Sequence, residues 1–299
     1  MDATVGPIIQ VKPDAREPLA RTPTPSVLRS IFSFLPSSHT KEQSVPTCHN
    51  AILPSILIVS IPKSGTVFTN LMLSRGLSLE QASVSFGYFP HYLVEIPKLV
   101  SFIKGGKVAR AHFDPSPVNL QSLTPFIKRW VLHIRDPRSV VLSWVHHMNR
   151  LYAERGNGEH QHLFVYPTPP VSYYYWPFRH QVDWNIENFL PSIVTWARSW
   201  LAVHDSRRYD ILLTTYSELA RDEPGYIHKI LDFYGIPRGL FHCPKIEKTI
   251  SSSHFRAGLE DEWMTEFTSD QILRATAMIG QDLLMRFKWP RGLRAAMIA

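Results

Sequence analysis

Four apolar runs along the chain each give way to a polar or proline-broken turn. Ile56 to Ile61 is an unbroken run of apolar or small residues, the pattern of a strand buried on both faces in a parallel sheet. Pro62 ends it, because proline has no N–H for the ladder. Lys63, Ser64, Gly65 and Thr66 form a tight turn, and Val67, Phe68, Leu71 and Met72 follow at helical spacing, with Gly76 expected as the helix stop. Further strands are expected near 107–112 (KVARAH), 130–134 (WVLHI) and 210–215. Between the first two, residues 83–100 read as a helix or strand leading to a loop on the substrate side.

The helical stripes fall after these strands. Asp136 is placed to cap a helix that starts at Pro137 and carries Val140, Val141, Trp144, Val145 and Met148 on one face. Asn188 to His204 places Phe189, Ile193, Trp196 and Trp200 on one stripe, which core packing explains. Glu223 to Tyr234 is stopped by Gly235 and Pro237, and Asp270 to Phe287 is the last helix. Strands alternating with helices predict a single α/β domain with a mostly parallel central sheet flanked by helices. No internal repeat interrupts that order.

Two segments do not fit the alternation. Residues 1–50 are rich in Pro, Ser and Thr and read as a poorly ordered or surface-draped arm, so the domain is expected to span 51–299. Residues 150–187 include Gly156-Asn157-Gly158 and the Pro/aromatic stretch Tyr166 to Arg179. A long non-periodic segment inside a domain suggests a lid or binding loop, with core cover as the alternative.

Composition narrows the chemistry. The chain has 299 residues, is 44% hydrophobic and carries a net charge of +7, which favours anionic ligands. Its two cysteines, Cys48 and Cys243, cannot make a disulfide framework or a cysteine zinc site, and they suit a reducing compartment. No apolar run approaches the roughly 20 residues that span a bilayer, and the start of the chain lacks a signal-peptide pattern. The expectation is a cytoplasmic protein with no membrane or nucleic-acid partner. His160 and His162 are only two histidines with no cysteine nearby, a weak signal for a metal site, so no metal is expected.

Three strand ends carry candidate chemistry. The strand, turn and helix at 56–76 present helix N-terminal amides, the dipole and the Lys63 charge to an anion. The order of residues is not that of a Walker A loop, because the lysine precedes a single glycine. Arg135 stands at the end of the third strand, where its fork suits a phosphate. His112 stands at the end of the second, before a loop broken by Pro115 and Pro117. Ligands of open α/β sheets bind outside such carboxyl ends.

Four segments together resemble one family, the sulfotransferases that use 3′-phosphoadenosine 5′-phosphosulfate (PAPS). They are PKSGT at 62–66, RDPRSVVLS at 135–143, the strand ending at Tyr216, and FRAG with DEWMTEFT at 255–268. The resemblance implies a P-loop-like turn in which Lys63, Ser64, Gly65 and Thr66 hold the 5′-phosphosulfate. Phe68, where the family usually has tryptophan, and Tyr216 would contact the adenine. Arg135, Ser143, Arg256 and Gly258 would hold the 3′-phosphate. His112 would be the catalytic base, with Lys63 and Arg110 assisting at the sulfate. The activity implied is sulfuryl transfer to a hydroxyl or amine of a small-molecule acceptor, with 3′-phosphoadenosine 5′-phosphate (PAP) as product.

Ala257 departs from the basic residue of the family pattern. Met264, Thr268-Ser269 and Leu273 depart from its usual dimer motif, which implies a monomer or a differently built dimer. The rival readings are a P-loop-like small-molecule kinase, which would need Mg²⁺ and an acidic partner, and a non-catalytic polyanion-binding protein, which would gather its basic residues into one stripe.

Overall fold

The strand at 56–60 sits at the centre of the sheet, which explains its unbroken apolar character. The computed structural model describes residues 52–155, 167–246 and 260–292. The strands are β1 (Ile56–Ser60), β2 (Glu80–Ala82), β3 (Ser85–Phe86), β4 (Leu93–Val94), β5 (Lys107–Ala111), β6 (Arg129–Ile134) and β7 (Asp210–Thr215). Five of them form one sheet in the order β2-β5-β1-β6-β7, and every pairing in it is parallel. β3 and β4 make a separate antiparallel ribbon.

The helices are α1 (Thr66–Gly76), α2 (Ile96–Phe102), α3 (Pro117–Leu123), α4 (Pro137–Arg155), α5 (Phe178–Asn188), α6 (Leu190–Asp205), α7 (Tyr216–Arg221), α8 (Glu223–Tyr234), α9 (Trp263–Glu266) and α10 (Ser269–Phe287). They cover both faces of the sheet. Ile56 and Ile58 join a cluster with Met72 and Leu73 of α1 and Ile227 and Leu231 of α8. Leu57 and Val59 point the other way, to Val141 of α4, Ile186 of α5, Trp200 of α6 and Ile279 of α10. Period-2 alternation thus feeds two cores, and both are apolar.

β5 and β6 flank β1 on opposite sides, so the strand order reverses beside β1. This is the crevice where the carboxyl ends of β1, β5, β6 and β7 come together. All three strand ends singled out above lie there, as does Tyr216 after β7.

Two expectations need correction, and two elements were not foreseen. Gly76 is the last residue of α1, not the left-handed residue beyond it. It is glycine for space: a Cβ there would lie 2.2 Å from Cε2 of Phe241. The edge strand β2 escapes a hydrophobic reading because Glu80, Gln81 and Ala82 are exposed or half-buried. α7 begins at Tyr216 directly after β7, started by a capping box between Thr215 and Glu218. Finally, α4 continues through Arg155 and α5 begins at Phe178, so the segment expected as loop at 150–187 is helical at both ends. Its tyrosines pack on protein: Tyr174 stacks on Tyr152 at 4.1 Å, and the Tyr173 hydroxyl accepts from Asn185 Nδ2 at 2.7 Å. The expected arm at 1–50, His160 and His162 lie outside the described residues.

Candidate active site

The turn after β1 is built from conformations that a chain does not adopt unaided. Lys63 has φ 62° and Gly65 has φ 81°, both in the left-handed region. Two side chains brace it, one from β6 and one from the residue that follows it. Arg135 Nη1 donates to the Lys63 carbonyl at 2.7 Å, and His133 Nε2 lies 2.9 Å from the Ser64 carbonyl. Each peptide is planar and trans, so carbonyls held toward β6 turn the following N–H groups away from it. Ser60 Oγ donates to Thr66 Oγ1 at 3.2 Å and closes the turn onto the strand. α1 then starts with no side-chain cap and no acidic residue in its first turn, so neither of these usual devices offsets its positive end. Ser64 Oγ is buried and has no hydrogen-bond partner among the described residues.

His112 follows β5 directly. Its Nδ1 lies 2.7 Å from the Ser60 carbonyl oxygen. A carbonyl only accepts, so Nδ1 carries the proton and Nε2 is the acceptor. Burial, opposed by the bond to Ser60 and helped by the nearby Arg110 charge, leaves the His112 pKa lowered to about 4. The ring is neutral at neutral pH. Its backbone is anchored next door: Trp196 Nε1 and Trp200 Nε1 both donate to the Phe113 carbonyl, at 2.9 and 3.0 Å. One helical turn separates the two indoles, so the α6 stripe that packs the core also fixes the loop behind the histidine. Asn119 of α3 gathers the other side, donating to the carbonyls of Tyr92 and Asp114. The Tyr92 ring meets His112 edge-on at 5.8 Å.

Arg135 and Tyr216 form a second centre. The guanidinium lies over the Tyr216 ring at 3.9 Å. A cavity of about 250 Å³ opens beside them, lined also by Ser139, Ser217, Arg221 and Trp289. Below it, Asp136 accepts a bidentate pair from Arg138 at 3.0 and 2.7 Å, and Arg138 lies over Trp263 at 3.8 Å. Asp136 also accepts from the Arg138 backbone N–H at 2.9 Å, as a capping residue does.

The structure therefore brings Lys63, Ser64, Gly65, Thr66, Arg135, Tyr216 and His112 to one edge of the sheet. Phe68 and Tyr216 both lie half-buried on the α1/α8 cluster. Arg110 is exposed on β5 and close enough to His112 to act on its charge. Ser143 is half-buried in α4, one turn beyond Ser139, and Ser139 is the serine that lines the cavity. Arg256 and Gly258 lie outside the described residues. Sequence reading missed His133, whose signal was a histidine inside an otherwise apolar strand, and Ser139, one turn before the serine singled out. No group of three or more His, Cys, Asp or Glu among the described residues could hold a metal ion. Among them, no helix is long and apolar enough to cross a membrane.

The family described as Sulfotransferase domain matches residues 53–286. The chain belongs to the sulfotransferase family. A solved structure of mouse sulfotransferase SULT7A1 complexed with PAP is similar at 17% identity and TM-score 0.53, over 79% of this chain and 87% of that one. A structure of retinol dehydratase with retinol and PAP matches at 16% identity and TM-score 0.48, over 78% of this chain and 82% of that one. No curated protein sequence matches. At these identities the likeness is one of fold, and the sulfotransferase fold is the five-stranded parallel sheet flanked by helices described above.

Proposed function

We propose that this sulfotransferase moves a sulfuryl group from PAPS to a hydroxyl or amine of a small-molecule acceptor, with His112 as the general base. The observation that carries this reading is the Nδ1 contact of His112 with the Ser60 carbonyl. It leaves a neutral Nε2 able to take the acceptor's proton, on the residue that follows a strand end beside the anion-binding turn.

The residues of the turn fit a phosphosulfate. The uncapped start of α1, the buried Ser64 hydroxyl and the Lys63 ammonium supply donors and positive charge without an acidic neighbour in the first helical turn. When bound, PAPS supplies the sulfuryl group and a phosphate leaving group. Lys63 and the α1 amides would then stabilise the charge that grows on the phosphate. Arg110 would favour the sulfate end and keep His112 unprotonated. Arg135 and Ser143, with Arg256 and Gly258, would hold the 3′-phosphate, while Phe68 and Tyr216 would meet the adenine. The enzyme would act in the cytoplasm, without a metal, as a monomer or as a dimer that does not use the usual family contact.

Two variants test the division of labour. His112→Ala should bind PAP as the parent does, while turnover falls on the order of 10²–10⁴-fold. Lys63→Ala should lose both binding and turnover, since one ammonium serves ground state and transition state alike. Full activity of His112→Ala across neutral pH would refute the assignment of the base. A parent protein that ignores PAP but binds ATP with Mg²⁺, or heparin, would refute the donor.

A further inference from the structure

We infer that His133 is a positioning residue for the phosphosulfate turn, holding the Ser64 carbonyl through Nε2–H and thereby aiming the Gly65 amide at the bound anion. The inference rests on the proposal that this turn holds a phosphosulfate.

His133 is fully buried. It pairs in register with Ser60 of β1 and Thr214 of β7. Two residues earlier on the same strands stand Ile58, Val131 and Leu212, which belong to the α1/α8 cluster. Period 2 therefore puts Ser60, His133 and Thr214 on that same face, as a buried polar row at the edge where the turn begins. A polar row in an apolar layer is costly unless every group is paired. Here the pairing runs toward the turn.

The bond at Ser64 fixes the tautomer. A carbonyl accepts, so Nε2 carries the proton and Nδ1 is left as acceptor. Two hydroxyls face Nδ1: Thr214 Oγ1 at 2.9 Å and Tyr226 at 3.0 Å from α8. Burial holds the His133 pKa down to about 4, opposed by the bond to Ser64. The ring is therefore neutral, with one donor and one acceptor, and both are engaged. Hydroxyl, ring and carbonyl form a relay of oriented bonds that ends in the turn.

The consequence follows from peptide geometry. With the Ser64 oxygen held toward β6, the Gly65 N–H points to the opposite side. Arg135, which directly follows β6, does the same to the Lys63 carbonyl and hence to the Ser64 N–H. The left-handed φ of Lys63, a non-glycine residue, stores strain that these outside bonds must hold in place. A histidine that merely filled space would affect stability alone. One that aims an amide must also affect anion affinity in protein that is fully folded.

The test uses the full chain and PAP as the probe, with binding measured by calorimetry on protein shown to be folded. His133→Leu removes the donor, and its PAP affinity should fall by about tenfold, the worth of one well-made hydrogen bond. The KM for the acceptor should not change. His133→Gln keeps an N–H donor and should recover most of the affinity. If His133→Leu does not fold, the pair Tyr226→Phe and Thr214→Val decides, because losing both hydroxyls strips Nδ1 of these donors, loosens the ring against the Ser64 carbonyl and should weaken PAP. Parent-like PAP affinity in His133→Leu, or in that pair, overturns the inference while leaving the PAPS reading intact. A parent chain that fails to bind PAP overturns the PAPS reading itself, and the role of His133 with it.

Discussion

The ring of His112 is tied by Nδ1 to the carbonyl of Ser60 at 2.7 Å, and Ser60 Oγ in turn reaches Thr66 at 3.2 Å. The proposed base and the proposed anion-binding turn are thus both tied to one residue of β1. A shift of either would disturb the other, because the bonded atoms sit on one rigid strand end.

Burial of the ring gives a pH dependence that the bond to Ser60 opposes. His112 and His133 both have pKa values lowered to about 4 by burial, against about 6.5 in an unfolded chain. Between those values the unfolded state binds protons that the folded state does not. Stability should be fully present above about pH 6.5 and decline as pH falls toward about 4. Urea denaturation from pH 4 to 8 measures this slope, and His112→Gln should make it shallower. A flat profile over that range would contradict the burial assigned to both rings.

Gly65 should tolerate no side chain. Its φ is 81°, and a Cβ would come 3.0 Å from Tyr216 Cε2 and 3.2 Å from Leu219 Cδ2. Gly65→Ala should cost about 1–3 kcal/mol through backbone strain and should abolish PAP binding by displacing the turn. Calorimetry with PAP and a thermal melt check the two parts separately.

Asp136 keeps a buried cation paired. Arg138 is fully buried, and Asp136 is its bidentate partner. Asp136→Ala should destabilise the fold by about 3–5 kcal/mol, since the guanidinium is left without its counter-charge. Replacing the pair by Asp136→Leu with Arg138→Met should cost far less. Chemical denaturation of the single and double variants decides, and equal losses would show that the charge pairing is not what matters.

Gly76 allows α1 to meet the segment after α8. With a Cβ 2.2 Å from the Phe241 ring, Gly76→Ala should lose about 1–3 kcal/mol by overpacking. Adding Phe241→Leu should return part of that loss, because the ring is what the methyl strikes. The double-mutant cycle reads the coupling directly.

Four of the five strands of the main sheet and the longest helices were legible from the chain because they follow from local periodicity. Ile56–Ser60 is apolar on both faces, and Glu223–Tyr234 carries its own stop at Gly235. The proposed anion-binding turn rests on a similar local signal: Lys63 to Thr66 is a contiguous stretch whose residue types carry that chemistry. His112 and Arg135 could be placed because each stands where an apolar run ends.

What the sequence could not decide is which distant residues meet. His133 reads as one more strand residue until parallel register sets it beside Ser60 and Thr214 and within reach of Ser64. Trp196 and Trp200 read as core until both indoles converge on the Phe113 carbonyl behind His112. Tyr216 reads as a strand end until it lies under Arg135 and against Gly65. Gly76 reads as a helix stop until Phe241 arrives from a segment far along the chain. Each of these depends on sheet order and on contacts between elements far apart in sequence. Local pattern fixes which way a side chain faces along its own element, but only packing fixes what it faces.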